Sequence, residues 1–508
     1  MRPDARSRRA PEGGLNLPVI ARPVGLLLGV LAAAMVLTAG VGVVMGSPEG
    51  AGHMGISAAL VGAVAFVLAA VLGRGAENMP LDRRSALVIV TVAWVALGLL
   101  GGLPFMVGAA FGPADAIFEA TSGFTTTGAT ILPEINERLN PALHFWRMLS
   151  HWLGGMGIVV LFVAVFPALG VGGKHLFRGE VPGPRSKGLS PRIRETSSVL
   201  WRVYLLLTLV EIVLLATLGR LPLFDAVTHA LSTMGTGGFS TLNGSIGEYS
   251  TMPEVNGLAI DLIITAFMVI AGMNFSLFYE AVRKGGEGLR VILRHTETQV
   301  YIGIVVMATV LIGLSIRGDV GSLPAALRYS SFQVAAIIST TGFGTADFEQ
   351  WPTFAKMVLL SLYFTGGCAG STAGGLKLIR VIILVKLIWV EMQRSFRPHL
   401  VLPVRVGNQA IRPPVLVEIM AFMGLYALTI AAGAALVALI DRVDGTTALM
   451  ASLACVANVG PGLGMVGPTD NFGFFSGASK LILSVCMILG RLEFLTVLAL
   501  FAPGFRRS

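Results

Sequence analysis

Apolar stretches recur along the chain at roughly 20 residues, the length a helix needs to cross a bilayer, and Gly-rich, polar or basic connections separate them. Residues 24–46, 55–73, 86–107, 145–169, 197–219, 258–282, 299–316, 414–440 and 478–502 read as single spans. Residues 354–392 read as a span interrupted in its middle. The expected fold is therefore an all-α polytopic membrane protein of about ten spans, with both termini on one side. The first span is longer than a secretory apolar region and many others follow it, so it reads as a membrane helix and not as a cleaved signal.

Between paired spans lie segments too short to cross, each ending in a glycine cluster. Aligned without gaps they are "AIFEATSGFTTTGAT" (116–130), "AVTHALSTMGTGGFS" (226–240), "SSFQVAAIISTTGFG" (330–344) and "ALMASLACVANVGPG" (448–462). Gly128, Gly238, Gly342 and Gly460 share one column, at separations of 110, 104 and 118 residues. Near-constant spacing of this kind is the mark of an internal repeat. Each unit reads as span, short re-entrant helix, glycine turn, span. The expected organisation is a basic N-terminal segment (1–20), two further helices (21–80) and four units at 81–180, 190–290, 295–395 and 410–508. Non-helical backbone at membrane depth survives where protein buries it or where it lines a watery cavity. Four turns meeting on a pseudo-fourfold axis satisfy that rule together, and such an arrangement is a pore.

Composition agrees with a membrane protein. The 508 residues are 54% hydrophobic and 13% charged, against about 25% charged in soluble proteins, and the mean hydropathy is +0.78. The net charge of +9 does not point to nucleic acid, because arginine and lysine gather in particular connections. These are Arg2 to Arg9, Arg74 to Arg84, Lys174 to Arg194, Arg283 to Arg294, Arg394 to Arg412, and Arg506 with Arg507. That is the positive-inside pattern of cytoplasmic loops; it puts both termini in the cytoplasm and the glycine turns at the outer side. Cys368, Cys455 and Cys486 lie in apolar or Gly-rich stretches and read as small buried hydrophobes. No pair has metal-ligand spacing or outlines a disulfide framework.

The turns suit an ion that must trade its water for other oxygens, as at a ring of backbone carbonyls. Glycine permits the dihedrals that turn successive carbonyls inward, threonine adds a hydroxyl, and the C-terminal end of the short helix favours a cation. No acidic ring is present, so the chemistry reads as dehydration of K⁺. For a single turn, an ordinary Thr/Gly loop is the competing reading.

The break "TGGCAGSTAGG" (365–375) holds five glycines, which weaken a helix by roughly 1 kcal/mol each, so its backbone is expected to leave the helix. Close packing of helices through small residues is the alternative. A phosphate loop is disfavoured because Leu376 stands where its lysine belongs and no strand precedes it. Arg491, inside the last span, marks an interior functional position by default; its alternative is an ion pair with Glu211, since Glu493 lies off the same helical face. Lys377 fits either an inner pore mouth or a cytoplasmic interface anchor. Glu119 and His229 read as braces of the short helices, Asp347 as a possible gatherer of cations at the outer mouth, and Trp152 and Trp351 as interfacial anchors.

The four turns, with "SHWLGGMGIVVLFVAVFPALGVGG" (150–173), "FRGEVPGP" (177–184), "PRIRETSSVLWRVYLLLT" (191–208) and "GGCAGSTAGGLKLIR" (366–380), resemble the Trk-type potassium-uptake subunits, the TrkH family, within the superfamily that includes Ktr and HKT transporters. The two N-terminal spans favour the Trk branch over Ktr. The resemblance implies a K⁺ selectivity filter at Thr126-Thr127-Gly128-Ala129, Thr236-Gly237-Gly238-Phe239, Thr340-Thr341-Gly342-Phe343 and Asn458-Val459-Gly460-Pro461. Glycine in all four columns implies K⁺ permeation, since serine in the first is associated with sodium preference. It further implies a gate loop below the filter, through Gly366, Gly367, Gly370, Ser371, Thr372, Gly374, Gly375 and Lys377, with Arg491 facing the pore beneath it. A homodimer and a cytoplasmic nucleotide-binding regulatory subunit are implied by the resemblance alone; the multi-pass position follows from the apolar spans, and the resemblance implies that the membrane is a bacterial plasma membrane. No bound cofactor is expected beyond K⁺ as the transported ion.

The function expected is K⁺ uptake of low or moderate specificity, by channel-like permeation or ion-coupled symport. A secondary transporter for a small organic solute is the runner-up, although such proteins grip substrate with varied or charged side chains near the midplane. An enzyme is not expected, because seven scattered histidines offer no convergent site.

Overall fold

The computed structural model describes residues 16–76, 79, 83–157, 193–397, 402–407, 409–492, 494, 497 and 500. The second half of the 145–169 span, the "FRGEVPGP" motif and most of the 478–502 span beyond 492 lie outside the described residues. The principal helices are α1 (Leu17–Val44), α2 (Pro48–Phe66), α3 (Arg83–Gly101), α4 (Pro113–Phe124), α5 (Pro141–Trp152), α6 (Ile193–Thr217), α7 (Leu223–Met234) and α8 (Gly257–Ala271). They continue as α9 (Phe275–Lys284), α10 (Thr296–Val320), α11 (Leu323–Ile338), α12 (Thr353–Leu362), α13 (Leu378–Phe396), α14 (Pro413–Asp441), α15 (Gly445–Ala457) and α16 (Gly477–Leu492).

Among the described residues, six helices are long and apolar enough to cross a membrane: Leu17–Val44, Pro48–Leu72, Arg84–Gly108, Ser198–Thr217, Thr296–Val320 and Pro413–Asp441. The molecule is an all-α polytopic membrane protein; its one departure among the described residues is a two-rung antiparallel hairpin, Arg405–Val406 with Gln409–Ala410. Polar residues set the helix starts. Asn140, Asn256, Ser322 and Asp444 each accept a bond from a first-turn backbone N–H, at the entries to α5, α8, α11 and α15.

Each short helix is held among several neighbours. α4 packs on α3, α5 and α16; α7 on α5, α6 and α8; α11 on α8, α10 and α12; α15 on α14 and α16. Ion pairs tie these layers, among them Arg328 of α11 to Asp261 of α8 at 2.6 Å and Lys480 of α16 to Asp115 of α4 at 2.6 Å.

The expected straight span 258–282 is instead broken. α8 and the helical stretch Phe275–Arg294 meet at 93°. The bend has a tertiary cause: the last carbonyls of α8 are taken by the 365–375 segment. Cys368 N–H donates to Gly272 O at 2.8 Å and the Thr372 hydroxyl to Ala271 O at 3.1 Å, while Phe275 N–H turns to Gly370 O at 3.1 Å. Asn274 then caps α9 through Ser276 N–H.

Two smaller expectations also change. Trp152 is wedged between Trp201 and Tyr204, at 5.1 and 5.3 Å, with its indole N–H on Thr208. Trp351 is buried against Phe348. Neither has the exposed ring of an interfacial anchor. Both carboxylate oxygens of Asp347 cap the turn that follows it, through Glu349 N–H and Gln350 Nε2.

Candidate functional site

Helices α4, α7, α11 and α15 end identically. The N–H of Thr127, Gly237, Thr341 and Val459 reaches five residues back, to the carbonyls of Ser122, Ser232, Ala336 and Ala454, at 2.9, 2.9, 2.8 and 3.0 Å. The residue before each donor is left-handed: Thr126, Thr236, Thr340 and Asn458 have φ of 55°, 53°, 59° and 54°. The glycine after it is left-handed as well, with φ of 77°, 81°, 79° and 93° at Gly128, Gly238, Gly342 and Gly460.

These glycines are also where the turns touch. A Cβ on Gly128 would lie 2.0 Å from Gly237 O, one on Gly238 1.9 Å from Thr341 O, one on Gly342 1.9 Å from Val459 O, and one on Gly460 2.6 Å from Thr127 O. Contact thus passes from the first turn to the second, third and fourth and returns to the first. Only glycine admits so close a carbonyl. Gly128, Gly238 and Gly342 are half-buried while the threonines beside them are buried. The side chains of Ala129, Phe239 and Phe343 pack behind the turns, Phe239 stacking on His151 at 4.2 Å. The Pro461 carbonyl accepts the Tyr363 hydroxyl at 2.5 Å.

The glycine-rich break runs between α12 and α13 directly against these turns. Gly374 N–H donates to Thr340 Oγ1 at 2.8 Å and Gly375 N–H to Asn458 Oδ1 at 3.2 Å. Gly366, Gly370 and Gly375 adopt positive φ, so the run leaves the helix and the small-residue packing alternative is set aside. Ala369 N–H donates to Glu297 Oε1 at 2.8 Å, and Leu378 N–H to Gly367 O at 3.0 Å. The Ser371 hydroxyl bonds Cys368 O. Lys377 is buried, its ammonium on Ala373 O, which does not match an anchor at a membrane surface.

Arg491 joins the two features. One guanidinium nitrogen donates to Thr126 Oγ1 and to Thr372 O, both at 2.9 Å; the other donates to Gly154 O and Gly155 O at 2.7 and 2.8 Å. Glu211, its alternative partner, is buried beside Thr233 of α7. Residue patterns had not flagged Arg147 or His151. Arg147 is fully buried and pairs with Glu119 at 2.8 Å. The His151 ring fills the space a Cβ on Gly237 would need, 2.0 Å away. Arg147 lies inside the stretch read from the sequence as an apolar span, 145–169, so the rule that singled out Arg491 applies to it equally.

The fold and site define an all-α polytopic membrane protein of the transport class, in which long apolar helices frame a closed circuit of glycine turns. The chain belongs to the TrkH family of cation transport proteins, transporters and not enzymes, whose family pattern matches residues 52–505. It is 39% identical over 438 residues to the Trk system potassium uptake protein TrkH of Salmonella typhimurium, covering 85% of this chain and 88% of that one. It is 32% identical over 456 residues to the Trk system potassium uptake protein TrkG of Escherichia coli, covering 88% and 91%. The crystal structure of the potassium transporter TrkH from Vibrio parahaemolyticus superposes with a TM-score of 0.84 at 33% identity, covering 97% of this chain and all of that one.

Proposed function

We propose that this protein carries K⁺ across the cell membrane through a central pore, with the four glycine turns as its selectivity filter and residues 365–375 as its gate. In this reading the four units stand around a pseudo-fourfold axis, behind two additional N-terminal helices, in a ten-span chain with both termini cytoplasmic. The four units take, in this reading, the bounds 81–180, 190–290, 295–395 and 410–508. The observation that carries the reading is the circuit of contacts at Gly128, Gly238, Gly342 and Gly460. It sets the carbonyls of Thr127, Gly237, Thr341 and Val459 each against the glycine of a neighbouring turn, which supports reading them as a ring that replaces the water of a monovalent cation. The C-terminal ends of the short helices add a favourable potential. K⁺ as the ion follows the activity named for the relatives and the absence of any acidic residue among the four-residue turn motifs.

The gate reading rests on Arg491 and on the bonds from Gly374 and Gly375 to the inner threonine and asparagine oxygens. Those bonds occupy lone pairs that an inner ion would use, so the closed gate and the inner filter layer release together. A homodimer with a cytoplasmic nucleotide-binding regulatory subunit is the assembly in which such a gate would be driven.

Rubidium uptake into proteoliposomes, with K⁺ and Na⁺ as competitors, tests the reading. The expected result is uptake blocked by K⁺ far more than by Na⁺, with the preference weakened in Gly342→Ser. No uptake under any gating condition, with a working regulatory partner present, would overturn it.

A further inference from the structure

Two columns of the aligned segments meet behind the turns. The fourth position is Glu119, His229, Gln333 or Ala451, each fully buried, and the fifteenth is Thr130, Ser240, Gly344 or Gly462. In the first unit the Thr130 hydroxyl donates to Glu119 at 3.0 Å, and Ile131 N–H donates to the same carboxylate at 3.1 Å. Arg147 completes the knot. It donates to Glu119 at 2.8 Å, to Thr130 Oγ1 at 3.2 Å and to the carbonyl of Ser240, in the segment leaving the next turn, at 3.2 Å. In the second unit His229 Nε2 pairs with Ser240 Oγ at 3.0 Å. In the third, glycine stands at the fifteenth position, and Gln333 reaches past it to Ala346 O at 3.4 Å. In the fourth, Ala451 and Gly462 offer no side-chain bond to one another.

From this grading, and resting on the filter reading above, we infer that these two columns are positioning struts that set ion discrimination, stiffest at the first turn and absent at the fourth. A turn whose return segment is fixed cannot draw its carbonyls inward around the smaller Na⁺. A turn held there only through its backbone, as Gly344 is by Ser245 Oγ at 3.2 Å and Gly247 N–H at 3.0 Å, and Pro461 by the Tyr363 hydroxyl, resists this less. Charge-assisted bonds hold better than neutral ones, so Glu119, Arg147 and Thr130 carry more of the discrimination than His229 and Ser240, and Gln333 carries little.

The test uses the full-length protein in proteoliposomes and reads K⁺ against Na⁺ competition for rubidium uptake, beside the thermal unfolding temperature. Thr130→Ala should lower the K⁺ preference about tenfold, the worth of one hydrogen bond to a charged group, and Thr130→Ser should restore it. Ser240→Ala should lower the preference less. Gly344→Ser should raise it, because a Cβ there meets nothing closer than Gln333 Nε2 at 3.9 Å and the new hydroxyl would add a side-chain strut at the third unit's fifteenth position. If Thr130→Ala fails to fold, Ser240→Ala and Gly344→Ser decide the question. Folded alanine variants with wild-type preference overturn the inference, as does a loss that Thr130→Ser leaves unrepaired. Gly342→Ser separates the two levels: a shift there with none in the struts removes the struts alone, and no shift in either removes the filter reading too.

Discussion

A left-handed threonine is a costly choice, at about 1–3 kcal/mol for each residue held in such a region, and Thr126, Thr236 and Thr340 all make it. Their neighbours hold them there. Arg491 bonds Thr126, Gly374 N–H bonds Thr340, and Thr236 turns its hydroxyl onto Gly235 O. Asn458, at the same point of the fourth turn, accepts Gly375 N–H and donates to Thr127 Oγ1 and Met487 O. Outside the spans, Asp444 does a simpler job as the cap of α15. Bonds from the Thr447 hydroxyl and then its backbone N–H hold the Asp444 carboxyl below the usual carboxylate range. A carboxyl so depressed stabilises the fold above its ordinary pKa and loses that contribution as pH falls through the lower folded value. Asp444→Ala should therefore melt below wild type at neutral pH in detergent, with the two curves converging in acid. A gap of constant size at every pH contradicts this. The sequence displays the threonines and glycines of the turns, and Glu119 and His229 as braces, but not Arg147 or His151 behind them. His151 is invisible because its role is to fill the space left by a glycine 86 positions later, at Gly237.

Among elements, the break at 365–375 was legible and the bend at 272–274 was not, for one reason. Five glycines in one run cannot sustain a helix locally, so that break is written in its own residues. The bend follows a single glycine and arises because the break captures the carbonyls of Ala271 and Gly272. No local pattern reports a bond made about 100 residues away in sequence, a separation that only packing brings together. The two elements form one hydrogen-bonded unit, which Arg491 fastens to the first turn. Hydrogen bonds to a charged group contribute about 1.5–3 kcal/mol each. Arg491→Ala should accordingly raise basal rubidium uptake at least about tenfold, and removal of residues from 369–374 should act in the same direction. Uptake that stays tight and partner-dependent after both changes would remove the gate.

At the scale of the molecule, the repeat was the informative signal. One glycine column, spaced by 110, 104 and 118 residues, sufficed to expect four equivalent turns, and the four turns share one dihedral pattern and one hydrogen-bond pattern. What the spacing could not give is closure, which depends on the fourth turn returning to the first through Gly460 and Thr127. Nor could it give the inequality of the units, since Glu119, His229, Gln333 and Ala451 share a position without sharing a chemistry. The central claim is that the closed circuit holds the ion. Anomalous X-ray scattering from crystals grown in rubidium tests it most directly. The expected result is rubidium density on the axis, at bonding distance from the carbonyls of Thr127, Gly237, Thr341 and Val459. Rubidium bound elsewhere in the protein, with none inside the circuit, would contradict it.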